Sequence, residues 1–214
     1  MDKNTIWSYI DHTLLQATAS WEEVRILCEE AIAHKAASVC IPPAFVPRIK
    51  SAYSDKLVIC TVIGFPLGYN SSEAKSMETA EAVAAGAGEV DMVINLGSVK
   101  EGRYNDIIKE IALVKQAAQG RILKVIVEAC YLTEEEKIAV CDCVTQGGAD
   151  YIKTSTGFGS GGATIEDVKL FKSYIGKDVK IKAAGGISTL EQIVEFINAG
   201  CSRVGTSRAM QILC

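Results

Sequence analysis

Short apolar runs rich in Val and Ile alternate along the chain with segments that begin with helix-start signals. Most runs are continuously apolar rather than alternating with polar residues, which is typical of parallel strands covered on both faces. Eight runs in 214 residues give about 27 residues per strand and helix, which suits a compact barrel. The sequence therefore predicts an α/β fold, a single (β/α)8 TIM barrel over residues 1–214. The predicted strands are Tyr9–Thr13, Ser38–Ile41, Leu57–Gly64, Glu89–Asn95, Leu123–Ala129, Asp150–Ser155, Lys180–Ala184 and Arg203–Thr206.

Five segments between the strands resemble capping boxes. In such a box the first side chain accepts a hydrogen bond from a free backbone N–H, and an acidic side chain three residues later bonds back. The boxes begin at Ser20, Asn70, Thr133, Thr164 and Ser188. Their regular placement after the apolar runs predicts a helix after each of the strands concerned.

An open doubly wound sheet is the competing fold, because the same alternation of strands and helices builds it. Such sheets commonly carry G-x-G-x-x-G directly after the first strand. No such motif follows the first predicted strand here, so the barrel is favoured.

Charge and composition narrow the class of ligand. The net charge of -4 argues against nucleic acid as a principal partner. No apolar run approaches the roughly 18 residues of a membrane helix, and the start of the chain lacks the apolar core of a signal peptide. The eight cysteines stand mostly inside apolar runs, and C-x-C at Cys141 and Cys143 is a poor zinc signature. We therefore expect a cytoplasmic protein with reduced thiols and no bound metal.

A faint internal repeat relates alternate strands. GAGEVD (86–91), GADYIK (148–153) and GCSRVG (200–205) share a Gly, a small residue, two variable positions, an apolar residue and then a chemically distinct one. KAASVC (35–40) fits except at its first residue. Alternate strands of a barrel contribute one layer of inward-pointing side chains. The repeat therefore predicts that Cys40, Asp91 and Lys153 meet at one level of the barrel mouth.

Lys153 and Lys182 form the sharpest pair of candidate catalytic residues. They stand near the carboxyl ends of consecutive predicted strands, DYIKTS and VKIKAAGG, where barrel active sites lie. Neighbouring strands are about 4.8 Å apart, and like charge and burial both lower a lysine pKa. We therefore expect one of the two to be a neutral amine that attacks a carbonyl group. The alternative is that one or both point outward or pair with a carboxylate.

Acidic side chains in apolar strands are the next candidates, because a buried carboxylate needs a partner. We expect Asp91 to pair with Lys182 or Lys153 and to move protons, although a purely structural ion pair would share this pattern. Asp11 and Glu128 are also candidate functional acids, but each has a structural alternative. Asp11 could form a turn or a helix cap, and Glu128 could accept hydrogen bonds from a backbone loop.

The remaining candidates have mainly structural interpretations. His12 is interpreted as a core or surface residue and Lys180 as a solvated lysine at the start of its strand. Cys40 is a candidate ligand contact, but buried cysteine is common.

Glycine-rich segments follow the last three strands: TSTGFGSGG, AAGGIS and VGTSR. Glycines let backbone N–H groups approach oxygen atoms, and barrel phosphate sites are often built from the loops after strands 7 and 8. The candidates are Gly157, Gly185, Gly186, Gly205 and Ser207, with Thr156 beside them. The residues alone thus indicate a lysine-dependent carbonyl enzyme that acts on a phosphorylated small molecule.

These motifs closely resemble the deoxyribose-phosphate aldolase family. The resemblance spans almost the whole chain and is carried by IDHTLL (10–15), CTVIGFPLG (60–68), EVDMVIN (89–95), YIKTSTGF (151–158), KAAGGI (182–187) and RVGTS (203–207). It implies a (β/α)8 barrel that reversibly cleaves 2-deoxy-D-ribose 5-phosphate to D-glyceraldehyde 3-phosphate and acetaldehyde. It implies no cofactor and no metal.

The resemblance also implies a role for each matched residue. Lys153 would form the imine, Lys182 would lower its pKa and assist proton transfer, and Asp91 would take part in the proton relay. The sugar site would be lined by Asp11, Thr13, Cys40 and Thr156. The phosphate would be held by Gly157, Gly185, Gly186, Gly205 and Ser207.

The chain departs from the family pattern at two points in these motifs. Arg208 stands where the family commonly has a second Ser, and Gln16-Ala17 replaces the common Lys-Pro. The sequence also ends at Cys214 without a terminal Tyr. These departures bear on substrate affinity and on the proton donor rather than on the lysine chemistry.

Two rival functions stay open at the sequence level. A pyridoxal-phosphate enzyme also needs a Schiff-base lysine and a phosphate site, and a barrel that only binds phosphosugars would share the fold without the activity. The expected partner in either case is a small phosphorylated molecule, not nucleic acid or a membrane. Because barrels of this kind often pair, a homodimer is the candidate assembly.

Overall fold

Eight strands close into one barrel in chain order, with every neighbouring pair parallel and the last strand paired to the first. A computed structural model describes residues 1–214. The strands are β1 (Ile10–Thr13), β2 (Ser38–Ile41), β3 (Ile59–Ile63), β4 (Glu89–Val93), β5 (Ile122–Ile126), β6 (Tyr151–Lys153), β7 (Lys180–Ala184) and β8 (Arg203–Thr206). Each overlaps one predicted strand, and the predicted (β/α)8 barrel is confirmed.

Helices connect the strands around the outside of the barrel. They are α1 (Lys3–Trp7), α2 (Trp21–His34), α3 (Val46–Tyr53), α4 (Ser72–Ala85), α5 (Leu96–Lys100), α6 (Tyr104–Ala117), α7 (Glu134–Gln146), α8 (Ile165–Tyr174), α9 (Leu190–Ala199) and α10 (Ala209–Leu213). None of them combines the length and the apolar character that crossing a lipid bilayer requires.

The predicted capping signals locate the helix starts to within one residue. Complete capping boxes form at Ser20 and Thr133, and Thr164 caps α8 through its hydroxyl oxygen. The starts predicted at Asn70 and Ser188 are each one residue early. In both helices the hydroxyl of the following residue accepts the free N–H, because that residue adopts the extended N-cap conformation.

The two faces of the barrel strands differ in polarity. Outward-facing side chains such as Val90, Ile152 and Ile181 join one buried apolar cluster between the strands and the helices. Because side chains alternate along a strand, the residues on either side of each outward position point into the barrel. Several of these inward side chains are charged and buried. The apolar core thus surrounds a charged interior, and that interior holds the candidate site.

Candidate active site

A cavity of about 450 Å³ opens at the mouth of the barrel, the end at which barrel enzymes carry their sites. Its wall comes from the segments that follow β1, β6, β7 and β8. The lining residues are Thr13–Gln16, Lys153, Thr156–Phe158, Ala184–Ser188 and Gly205–Arg208. Lys153 and Arg208 are the only charged side chains among them. The cavity wall is therefore positively charged and suits an anionic ligand.

Lys153 and Lys182 lie side by side at the base of this cavity. β6 and β7 pair with Lys153 opposite Lys182, so both side chains point into the barrel. Their nitrogens bond the same oxygen, Oδ2 of Asp91, at 2.8 Å and 2.7 Å, and therefore lie at most 5.5 Å apart. The structure thus brings together the three residues that the sequence selected as catalytic candidates.

A second layer of charges lies below Asp91. The Nζ atom of Lys124 is 2.9 Å from Asp91 Oδ1 and 2.5 Å from Glu89 Oε2. Arg203 bridges Asp11 at 2.6 Å and Glu89 at 2.9 Å. The carboxylate of Asp11 also pairs with the ammonium group of Lys182 and lies 3.6 Å from Lys124 Nζ. These contacts join the two layers into one set of seven residues.

We refer to these seven residues as the central network: Asp11, Glu89, Asp91, Lys124, Lys153, Lys182 and Arg203. Four of them are cationic and three are anionic. Lys124 pairs with three carboxylates, Lys182 and Arg203 with two each, and Lys153 with one. With every group ionised, the network carries one positive charge in excess.

Burial and ion pairing act in opposite directions on the central network. Burial raises the pKa of Asp91, but three neighbouring ammonium groups outweigh burial and hold that pKa well below its ordinary range. Burial lowers the pKa of Lys182, but the carboxylates of Asp11 and Asp91 outweigh it and the net pKa is raised. At neutral pH, Asp91 is therefore an anion and Lys182 a cation.

Two buried thiols complete the layer around Asp91. Cys40 and Cys60 are paired on β2 and β3, and the Cys60 thiol donates to Asp91 Oδ1 over 3.1 Å. Burial raises the pKa of Cys60 well above its ordinary value. The two sulfurs and the carboxylate lie within 4.8 Å of one another, a spacing that a metal ion accepts. Three ammonium groups already pair with that carboxylate, so a further cation there is disfavoured.

Glu128 holds the loop after β6 against the barrel mouth. Its buried carboxylate accepts hydrogen bonds from the backbone N–H of Thr156 at 3.0 Å and from the Thr156 hydroxyl. That hydroxyl in turn accepts from the N–H of Phe158 at 3.0 Å. Glu128 therefore has the structural role of the two: it accepts hydrogen bonds from a backbone loop.

Glycines bring free backbone donors to the cavity wall. Gly157, Gly185 and Gly186 have left-handed φ angles of 87°, 86° and 75°, which other residues rarely adopt. Gly162 packs so closely that a Cβ there would lie 2.2 Å from the carbonyl oxygen of Gly185. The N–H groups of Gly186 and Ser207 donate to no protein atom. Free N–H groups in a concave wall suit the oxygens of an anion.

Most predicted substrate residues lie in the cavity wall, but two do not. The wall contains Thr13, Thr156, Gly157, Gly185, Gly186, Gly205 and Ser207. Asp11 and Cys40, which we expected to line the sugar site, are fully buried beneath it. The reason for Asp11 is that its carboxylate pairs with Arg203 and Lys182. Cys40 lies lower because its sulfur packs within 4.8 Å of the Cys60 sulfur and the Asp91 carboxylate.

Three members of the central network escaped the sequence analysis: Glu89, Lys124 and Arg203. Glu89 precedes Asp91 by two residues and Arg203 precedes Gly205 by two, so each shares the inward parity of a predicted residue. That parity would have identified both. Lys124 lies directly opposite Asp91 in the pairing of β4 with β5, and no signal within the sequence states this register.

His12 and Lys180 have the structural roles that the sequence analysis expected. The His12 ring points out of the barrel, with Nε2 2.8 Å from Glu30 and the ring edge-on to Trp7. Burial lowers the His12 pKa. Lys180 is exposed at the start of β7. Neither residue lines the cavity.

Comparison with known proteins agrees with this geometry. A model of the DeoC/LacD family aldolases matches residues 5–207. The deoxyribose-phosphate aldolase of Clostridium botulinum (strain Eklund 17B / Type B) is 56% identical over 213 residues, which cover 100% of this chain and 96% of the relative. That of Clostridioides difficile (strain 630) is 52% identical over 204 residues, covering 95% and 93%. The tetrameric deoxyribose phosphate aldolase structure from Aeropyrum pernix has a TM-score of 0.90 at 31% identity, covering 99% of this chain and 91% of that one. The chain therefore belongs to the DeoC/LacD family of aldolases.

Proposed function

We propose that this aldolase is a class I lyase that reversibly cleaves 2-deoxy-D-ribose 5-phosphate into D-glyceraldehyde 3-phosphate and acetaldehyde, a step in deoxyribose phosphate breakdown. The family and the named relatives support the reaction class. The chain's own geometry supports Lys153 as the amine that forms an imine with the sugar aldehyde.

The observation that carries this assignment is the number of carboxylate partners. Lys153 pairs with Asp91 alone, whereas Lys182 and Arg203 each have two such partners and Lys124 has three. Lys153 is therefore the cation with the fewest ion pairs to lose when its nitrogen bonds to a substrate carbon. Lys153 is also the only one of the four cations that lines the cavity. A neutral amine facing a cavity is the nucleophile that imine formation requires.

The same site stabilises the positive charge that returns after the attack. The neutral amine of Lys153 adds to C1 of the open-chain sugar, and the resulting carbinolamine takes up one proton from solvent and loses water to give a protonated imine. Asp91 Oδ2, which lies 2.8 Å from the lysine nitrogen, then faces that charge. The iminium group draws the electron pair of the C2–C3 bond as the C3 hydroxyl gives its proton to solvent water in the cavity, which releases glyceraldehyde 3-phosphate. The remaining enamine is protonated at C2 and hydrolysed to acetaldehyde, and the amine is restored.

The other site residues have supporting roles in this proposal. Lys182 stays positively charged and disfavours a second ammonium group beside it. Asp11 holds Lys182 in place through their ion pair. Thr13 and Thr156 line the same cavity as Lys153. The free N–H groups of the glycine loops face the phosphate.

Borohydride trapping tests the assignment directly. Reduction in the presence of acetaldehyde is expected to leave an irreversible N-ethyl group on Lys153, mapped by mass spectrometry of peptides. Lys153→Met should abolish both the adduct and the release of acetaldehyde from 2-deoxyribose 5-phosphate. Lys180→Met removes an exposed lysine of the neighbouring strand and should leave both intact. An adduct on another residue, or none, would overturn the proposed role of Lys153.

A cytoplasmic location and a homodimer complete the proposal. All eight cysteines are free and six of them are buried, which fits a reducing compartment. The related Aeropyrum pernix protein is described as tetrameric, so self-association occurs in a relative. Light scattering of the purified protein should give the mass of two chains, and the mass of one chain would contradict the assembly.

A further inference from the structure

We propose that Arg208 supplies the counter-charge for the substrate phosphate and thereby makes the enzyme selective for phosphorylated over unphosphorylated 2-deoxyribose. This inference rests on the proposed aldolase function and adds a specificity-determining residue to it. Arg208 is the second residue after the end of β8 and lies in the cavity wall beside Ser207.

Arg208 is the one cation of the cavity wall that is free to meet a ligand. Lys153, the other cation there, is 2% exposed and pairs with Asp91. The Arg208 side chain is exposed, and its hydrogen bonds are made by the backbone alone: the N–H donates to the Thr206 hydroxyl oxygen at 3.1 Å and the carbonyl oxygen accepts from the N–H of Ile212 at 3.0 Å. No acidic residue lines the cavity to neutralise the guanidinium group.

The backbone of Arg208 is tied to the glycine loop that faces it. The Thr206 hydroxyl accepts the N–H of Arg208 and donates to the carbonyl oxygen of Ile187 at 2.9 Å. Ile187 directly follows Gly186, whose N–H donates to no protein atom. The loops after β7 and β8 are thereby held together, with the arginine and the free donors on one wall.

The free N–H groups alone leave the charge of a phosphate dianion uncompensated. Gly186 and Ser207 offer neutral donors, which orient phosphate oxygens but carry no net charge. A guanidinium group adds a full positive charge and a planar fork that bonds two phosphate oxygens at once. Arg208 therefore separates a phosphorylated sugar from one that ends in a neutral hydroxyl.

Kinetics of Arg208→Gln with both sugars test this inference. We expect KM for 2-deoxyribose 5-phosphate to rise about ten- to hundredfold, the effect of losing a charge-assisted contact. We expect kcat to be nearly unchanged, and kcat/KM for 2-deoxyribose to be unchanged. Arg208→Lys keeps the charge without the fork and should recover part of the loss. Arg121→Gln is the matched control, because Arg121 is an exposed arginine just before β5, at the opposite end of the barrel.

The outcomes separate this inference from the aldolase function itself. If wild-type protein cleaves both sugars and Arg208→Gln keeps the preference for the phosphorylated one, the role of Arg208 is wrong and the aldolase function stands. An equal loss of kcat/KM for both sugars also overturns it, since that result means a damaged loop. Calorimetric titration with inorganic phosphate needs no turnover. Weaker phosphate binding by Arg208→Gln in a protein that cleaves neither sugar would retain the anion site and reject the aldolase.

Discussion

Replacing Lys182 with Met tests whether the second lysine keeps the first uncharged. The nitrogens of Lys182 and Lys153 lie at most 5.5 Å apart, because both bond one oxygen of Asp91 at 2.7 Å and 2.8 Å. At that separation, and with an effective dielectric constant of about 20, two unit charges repel by about 3 kcal/mol, or about two pH units. The pH at which half of the protein forms an imine should therefore rise by about two units in Lys182→Met.

Borohydride trapping with acetaldehyde across a series of pH values measures this half-point. The fraction of protein that carries the adduct is read by intact mass at each pH. Lys180→Met is the control, because Lys180 lies on the same strand two residues earlier but is exposed and outside the central network. Its half-point should match that of the wild type.

The stability of the variant needs a separate check. Removing one partner from a buried ion pair costs about 3–5 kcal/mol, and Lys182→Met leaves Asp11 and Asp91 with fewer cations. If circular dichroism shows that the single variant is unfolded, the double variant Lys182→Met with Asp11→Asn takes its place in the trapping experiment. The double variant removes one charge of each sign. A folded variant whose half-point moves by less than about half a pH unit would refute the electrostatic role of Lys182.

Three further predictions concern stability and the phosphate loop. Lys75→Met should lower the free energy of unfolding in urea by about 3–5 kcal/mol, because Glu110 loses its partner in a buried ion pair. The double variant Lys75→Met with Glu110→Leu should recover most of the lost stability, and equal losses in the single and double variants would contradict this explanation. Gly162→Ala should raise KM for the phosphorylated sugar about tenfold, because its Cβ would lie 2.2 Å from the carbonyl oxygen of Gly185; an unchanged KM would show that the loop tolerates the shift. Ion pairs lower the folded-state pKa of Asp11 and Asp91. The stability that these two carboxylates give the fold is therefore complete above about pH 4 and is lost as the pH falls below that value. Melting temperatures that stay level from pH 5 to about pH 2 would contradict this prediction.

Local signals in the sequence were sufficient for the architecture. Ser38–Ile41, Lys180–Ala184 and Arg203–Thr206 are strands with the predicted bounds, because each is a short segment ended by a turn or a helix signal. Predicted β3 continued to Gly64, but Gly64 has a left-handed φ of 58° that ends the strand. Errors of this size arise because the sequence does not state which residue of an apolar run leaves the sheet.

The central network was only partly predictable, because its pairings form between strands far apart in the sequence. Lys153 and Lys182 could be matched, since they lie on consecutive strands at similar distances from the strand ends. Lys124 could not, because its burial depends on carboxylates from β1 and β4. The sequence around a lysine in an apolar strand does not show whether that lysine will pair with acidic residues inside the barrel. Its role appears only once strand register and barrel closure are known.

The hydrogen bonds of Asp91 limit the part it can play in proton transfer. Oδ1 accepts from Lys124 and Cys60, and Oδ2 accepts from Lys153 and Lys182. A carboxylate with four donors and a pKa well below its ordinary range is a weak base. Taking the proton of the sugar hydroxyl would cost it several ion pairs at once, so this geometry suits Asp91 to a fixed negative charge rather than to a relay. The fixed negative charge of Asp91 favours the step in which Lys153 changes from a neutral amine to an iminium cation. This arrangement depends on closure of the barrel, because only closure directs the four donors at one carboxylate.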